Sequence, residues 1–176
     1  MRPRVLVAGI GNIFLGDDGF GVDVIKELEH IDMPSWVQIA DYGISGMHLA
    51  YDLMGGYDTT ILIDAMQRGE APGTVFLLEP DDMSDLPVNP AVDGHGMQPD
   101  AVFRLLKLLG GDAGRVLVVG CEPANTDERI GLSPPVAAAV DEAVRVVTDL
   151  AWGSSPNLTT KPKPQKSGGL KCSSAC

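Results

Sequence analysis

An apolar run, Val5-Leu6-Val7-Ala8, passes straight into Gly9-Ile10-Gly11-Asn12-Ile13-Phe14-Leu15-Gly16-Asp17-Asp18-Gly19-Phe20-Gly21. Val22, Ile25 and Leu28 then fall at helical spacing, so the segment reads as strand, glycine-rich loop and helix. Glycines allow a sharp turn at that junction. A strand feeding a helix through a short turn is the opening of an α/β layer fold, and it constrains everything that follows. A nucleotide-binding loop would have the same outline, but Phe14 stands where the third glycine of Gly-x-Gly-x-x-Gly belongs. Asp17 and Asp18 would also repel a pyrophosphate at the helix start.

Further β-rich runs recur at Trp36–Ala40, Thr59–Ile63, Thr74–Leu78 and Arg115–Val119, after a first one at Arg4–Ala8. Helical patterns lie between them at about 19–30, 45–54, 99–109 and 134–151. The last has Ser133 as N-cap, Pro134 and Pro135 in the first turn, and one apolar face of Val136, Val140, Ala143, Val144 and Val147. Thr74–Leu78 follows the preceding strand too closely for a helical crossover and is expected to be an antiparallel or edge strand. The expected architecture is three-layer α/β, a twisted, mainly parallel five-stranded sheet with helices on both faces. Met47, Met54 and Met66 are read as core filler.

The 176-residue chain carries a net charge of −11, which argues against nucleic acid or an anionic membrane as partner. All four lysines of residues 151–176 stand without an acid among them. That stretch is also rich in Pro and Ser, so an α/β domain over 1–152 and a disordered tail over 153–176 are expected. Three cysteines, two of them in the tail, make no disulfide framework. With no signal peptide or apolar span, a cytoplasmic setting is expected, and no surplus apolar surface pattern argues against a monomer.

In open α/β sheets ligands gather at the carboxyl ends of strands. There this sequence places Asn12 with Asp17-Asp18, then Asp41-Tyr42-Gly43-Ile44-Ser45-Gly46, Asp64-Ala65, and Gly120-Cys121-Glu122-Pro123. A separate loop, Asp93-Gly94-His95-Gly96, leads toward a helix. An Asp before a helix is often only a cap, and Asp41 before Gly-rich sequence is often only a turn-former. Asp64 is harder to explain that way, because a carboxylate ending a buried strand must be hydrogen-bonded, paired or metal-bound. Asp18, Asp64 and His95 together form a mixed oxygen and nitrogen set suited to a divalent transition metal such as zinc or nickel. His30 and His48 lie within helical stretches and read as structural or surface residues. Cys121 reads as a buried structural thiol, and Ser45 lacks the context of a nucleophile elbow.

The ordered set Gly9-Ile10-Gly11-Asn12, Asp17-Asp18-Gly19-Phe20-Gly21, Asp41–Gly46, Ile63-Asp64-Ala65, the His95 loop, Gly120–Pro123 and Leu132-Ser133-Pro134 resembles the hydrogenase maturation endopeptidases, the HyaD/HybD/HycI family. The resemblance spans roughly residues 4–150. It implies removal of a C-terminal extension from the precursor of a [NiFe] hydrogenase large subunit once nickel has been inserted. Carried over by position, Asp18, Asp64 and His95 would be the metal ligands and Asp41 a further functional acid, with Asp18, Asp41 and Asp64 the catalytic candidates. The nickel would come with the substrate, and the free protein would take another divalent metal such as zinc in the same place. Many members have Asp-Glu where this chain has Asp17-Asp18, which leaves open which of the two reaches the metal. Whether the metal or a carboxylate activates water is equally open, and a non-cleaving metal carrier or chaperone for immature hydrogenase would use the same residues.

Overall fold

A computed structural model describes residues 3–80 and 99–154. His95 and residues 155–176 lie outside the described residues. Five strands, β1 (Val5–Ile10), β2 (Val37–Gly43), β3 (Thr59–Ala65), β4 (Val75–Leu78) and β5 (Arg115–Cys121), alternate with α1 (Phe20–Leu28), α2 (Gly46–Leu53), α3 (Pro99–Leu108) and α4 (Pro134–Ala151). A 3-10 turn, Gly16–Gly19, leads into α1. The sheet order is β2-β1-β3-β5-β4; the first four strands are parallel, and β4 joins the far edge antiparallel to β5. The expected three-layer architecture is therefore present, including the antiparallel placement of the run at 75–78.

Alternation along the strands divides the interior into two cores. Val5, Val7, Ile61, Ile63, Leu117, Val119 and Cys121 face α1 and α4. Leu6, Ala8, Ile10, Leu62, Val116 and Val118 face α2 and α3. The central strands are buried on both faces, and so they read as near-continuous Val/Ile/Leu runs.

α1 lies unusually close to the sheet because Gly21 has no side chain. A Cβ there would fall 2.2 Å from the Ile63 carbonyl oxygen and 2.4 Å from that of Ile10. Of the expected α4 face, Val136, Val140, Ala143 and Val147 are buried and Val144 is half-buried, and Val146 is buried as well. The methionines correct one expectation: Met66 is buried, but Met47 and Met54 are exposed. α2 is two turns long and turns only Leu49, Ala50 and Leu53 inward, so Met47 falls on its solvent face. Among the described residues no helix is long and apolar enough to cross a membrane.

Candidate active site

Strand order reverses at β1: the chain steps outward to β2, then returns past β1 to β3. A crevice forms at such a switch point, beyond the carboxyl ends of β1 and β3. Asp18 enters it from the turn after β1, and Asp64 from the end of β3.

The turn is fixed by Gly11, whose φ of +128° suits glycine, and where a Cβ would lie 1.9 Å from the Asp18 carbonyl oxygen. That contact lets Asp18 fold back, and its Oδ2 accepts the Asn12 N–H at 2.7 Å. Burial raises the Asp18 carboxyl above its ordinary value, and the Asn12 bond only partly offsets it. Asp64 is half-buried and points to the same sheet face as Leu62. Desolvation and then the neighbouring charge of Asp18 push its carboxyl well above the usual range, against a bond from the Ala65 N–H. Two carboxyls held above their ordinary value by burial, Asp64 also by the charge of Asp18, form a site with an unmet demand for a proton or a cation. Their oxygen chemistry fits a divalent metal. Among the described residues no group of three His, Cys, Asp or Glu gathers around one point, so any third ligand must come from elsewhere.

Adjacent in sequence, Asp17 does something different. Its carboxylate accepts the main-chain N–H groups of Ala124 (2.8 Å), Asn125 (2.9 Å) and Ser133 (2.6 Å), and the Ser133 hydroxyl at 2.8 Å. Burial alone would raise its carboxyl, but the bonds from Ser133, Asn125 and Ala124 outweigh that and hold it below the ordinary value. Asp17 thus pins the turn to the 124–133 loop. The expected N-cap role of Ser133 is altered accordingly. Ser133 has the extended conformation of a cap, but its hydroxyl serves Asp17 and makes no capping bond.

Asp41 lies two residues before the end of β2, paired with Gly9 of β1. It is exposed and accepts its own Gly43 N–H at 2.8 Å, a local turn contact, and the structure does not bring it into the Asp18–Asp64 pair. Ser45 Oγ lies 2.8 Å from His48 Nδ1 within the first turn of α2, a contact between helix positions three apart. Cys121 is buried against α1 and α4, and burial with the charge of Asp17 pushes its thiol up to about 12, too high for a thiolate nucleophile. His30 and His48 are both exposed.

One acid of the strand-end clusters has a structural role that the sequence does not assign. Glu122 is buried, and its carboxylate accepts the N–H groups of Arg68 (2.7 Å), Gly69 (3.3 Å) and Glu70 (3.2 Å), fixing the loop after β3. Nothing local marks this role, since its partners lie more than 50 residues away.

Residues 22–150 match the family model described as hydrogenase maturation protease. The hydrogenase 2 maturation protease of Escherichia coli is 34% identical over 146 residues, covering 82% of this chain and 88% of that protein. A hydrogenase expression/formation protein, HupD of Rhizobium leguminosarum bv. viciae, is 30% identical over 167 residues, covering 92% and 80%. Among solved structures, the hydrogenase maturating endopeptidase HybD from E. coli superposes with a TM-score of 0.76 at 32% identity, covering 85% of this chain and 93% of that one.

Proposed function

The chain belongs to the hydrogenase maturation protease family, and on that premise we propose that it removes the C-terminal extension of a [NiFe] hydrogenase large-subunit precursor after nickel insertion, in the cytoplasm. The observation that carries the reading is the Asp18–Asp64 pair at the switch point, two carboxyls raised by burial, Asp64 also by the charge of Asp18, while Asp17 beside them is hydrogen-bonded to the 124–133 loop.

The precursor brings nickel already held by its own side chains. Asp18 and Asp64 supply oxygen donors to the open positions of that ion, and its positive charge relieves the repulsion between them. His95 is the third donor; it stands four residues before Pro99, within about 14 Å of chain. Binding of this kind places the scissile bond in the crevice, and such positioning is worth several kcal/mol of barrier. A water oxygen then bonds to the peptide carbonyl carbon. One of its protons passes to a carboxylate of the pair, and the C–N bond breaks as a proton reaches the departing amine. A carboxylate held at the crevice is suited to take and return that proton. Asp41, near the end of β2, is a further acid for the leaving side. In the free protein the pair and His95 would hold a divalent cation such as zinc, which would supply Lewis-acid chemistry there.

The test is a mixing experiment in which nickel-loaded and nickel-free precursor are incubated with the protein and the mass of the precursor C terminus is followed. Loss of a peptide from the loaded form alone is expected. Binding without cleavage would favour a carrier, and equal cutting of both forms would remove nickel from the recognition step.

A further inference from the structure

Beyond the carboxylate pair, the same face of the sheet carries a cation, Arg68, with a buried donor that has no partner among the described residues. Asp64, Gly120 and Phe76 are paired in one row across β3, β5 and β4. The Phe76 ring lies flat over Gly120, where a Cβ would meet its Cε2 at 2.2 Å, so the ring covers the face that bears Asp64. Arg68 stands on that ring with its guanidinium carbon 4.9 Å from the centroid. Its main-chain N–H is held by Glu122. The side chain is thus placed at both ends, by a carboxylate under its backbone and by an aromatic face under its head.

Arg68 Nη1 is nevertheless shut off from solvent with no hydrogen-bond partner among the described residues. Arg68 is half-buried, yet a donor shut off from solvent is costly unless it is hydrogen-bonded, and cation–π contact with phenylalanine offsets only part of that. In a chain of net charge −11, an arginine beside the crevice whose buried Nη1 has no partner among the described residues is a feature that an anionic ligand would resolve. The ligand must be an anion, because a neutral carbonyl would satisfy the donor and leave the charge. We propose that Arg68 is a substrate-recognition residue, binding a carboxylate of the precursor polypeptide a few residues from the bond that is cut. The inference rests on the peptidase reading above. Two strand spacings, roughly 10 Å, separate Asp64 from Phe76 along the row, which is about three residues of extended peptide. Closer to the bond an acid would face Asp18 and Asp64 and be repelled, so Arg68 fixes where along the substrate an acid is accepted. The carboxylate is either an Asp or Glu side chain or the free C terminus of the extension.

Steady-state cleavage of nickel-loaded precursor tests this with wild type, Arg68→Gln and Arg68→Lys. Arg68→Gln is expected to raise KM about ten- to a hundredfold with kcat nearly unchanged, as loss of a charge-assisted contact implies. Arg68→Lys should recover only part of this, because an ammonium lacks the planar fork. On the substrate side, wild type is assayed with precursors whose acids near the cleavage site are changed singly to Asn or Gln. A further precursor, extended by Gly-Ser, moves the terminal carboxylate. One of these should raise KM by the same factor, reveal which carboxylate is used, and add nothing further to Arg68→Gln. An unchanged KM for Arg68→Gln, or wild-type KM for every altered precursor, overturns the assignment and leaves the peptidase reading standing. No cleavage by wild type overturns the peptidase reading, and the assignment falls with it.

Discussion

Asp17 and Asp18 are neighbours of the same residue type with opposite electrostatic fates. Four hydrogen bonds stabilise the charge of Asp17, whereas Asp18 has one and is otherwise desolvated. Replacing Asp17 by Asn puts an amide donor against main-chain N–H groups and should cost about 3 kcal/mol in urea unfolding at neutral pH. Because its folded pKa is depressed, the stability Asp17 contributes is present above the ordinary carboxylate value and lost as pH falls through the folded one, so the penalty of Asp17→Asn should shrink in acid. Asp64 behaves in the reverse sense. Its folded pKa is raised, so the fold loses stability as pH climbs from the ordinary value of 3.8 toward the raised one. Asp64→Asn should therefore be more stable than wild type in metal-free buffer, by about 1 kcal/mol at neutral pH, with no gain near pH 3. Equal stabilities across the range would mean that Asp64 ionises freely. The importance of Asp64 is legible in the sequence, since it ends an apolar strand. The division between Asp17 and Asp18 is not, because the partners of Asp17 lie 107 to 116 residues away.

The elements themselves were readable because the parallel strands are buried on both faces and the helices on one. Every strand run and helix pattern expected from the sequence is present, with β1, β2, β3 and β5 continuing about two residues further toward the crevice. Those extra residues matter, since they carry Asp41, Asp64 and Cys121 into the sheet and give their side chains fixed faces. The reading failed where an element is short: α2 turns few residues inward, and Met47 and Met54 are exposed as a result. The tight seat of α1 was also invisible, because glycine spacing does not say which backbone approaches. Gly21→Ala should destabilise by about 2 kcal/mol in thermal or urea unfolding, since its Cβ would meet two strand carbonyls. A neutral result would mean that α1 can lift away from β1 and β3 at no cost.

At the scale of the molecule, the topology brings together residues that the chain keeps far apart. The reversal at β1 puts Asp18 and Asp64 at one crevice, and the row Asp64-Gly120-Phe76 extends that site toward β4 and Arg68. The positions of the acids at strand ends were visible in sequence; their convergence follows only from strand order. His95 falls outside the described residues, so its place in the site rests on the resemblance and on its distance along the chain from α3. The central claim is that the Asp18–Asp64 pair performs the function while Asp17 holds the turn. The most direct measurement is the rate at which nickel-loaded precursor loses its C-terminal peptide to Asp64→Asn compared with wild type. No detectable release is expected from this variant, which is at least as stable as wild type, and release at the wild-type rate would show that the Asp18–Asp64 pair is dispensable.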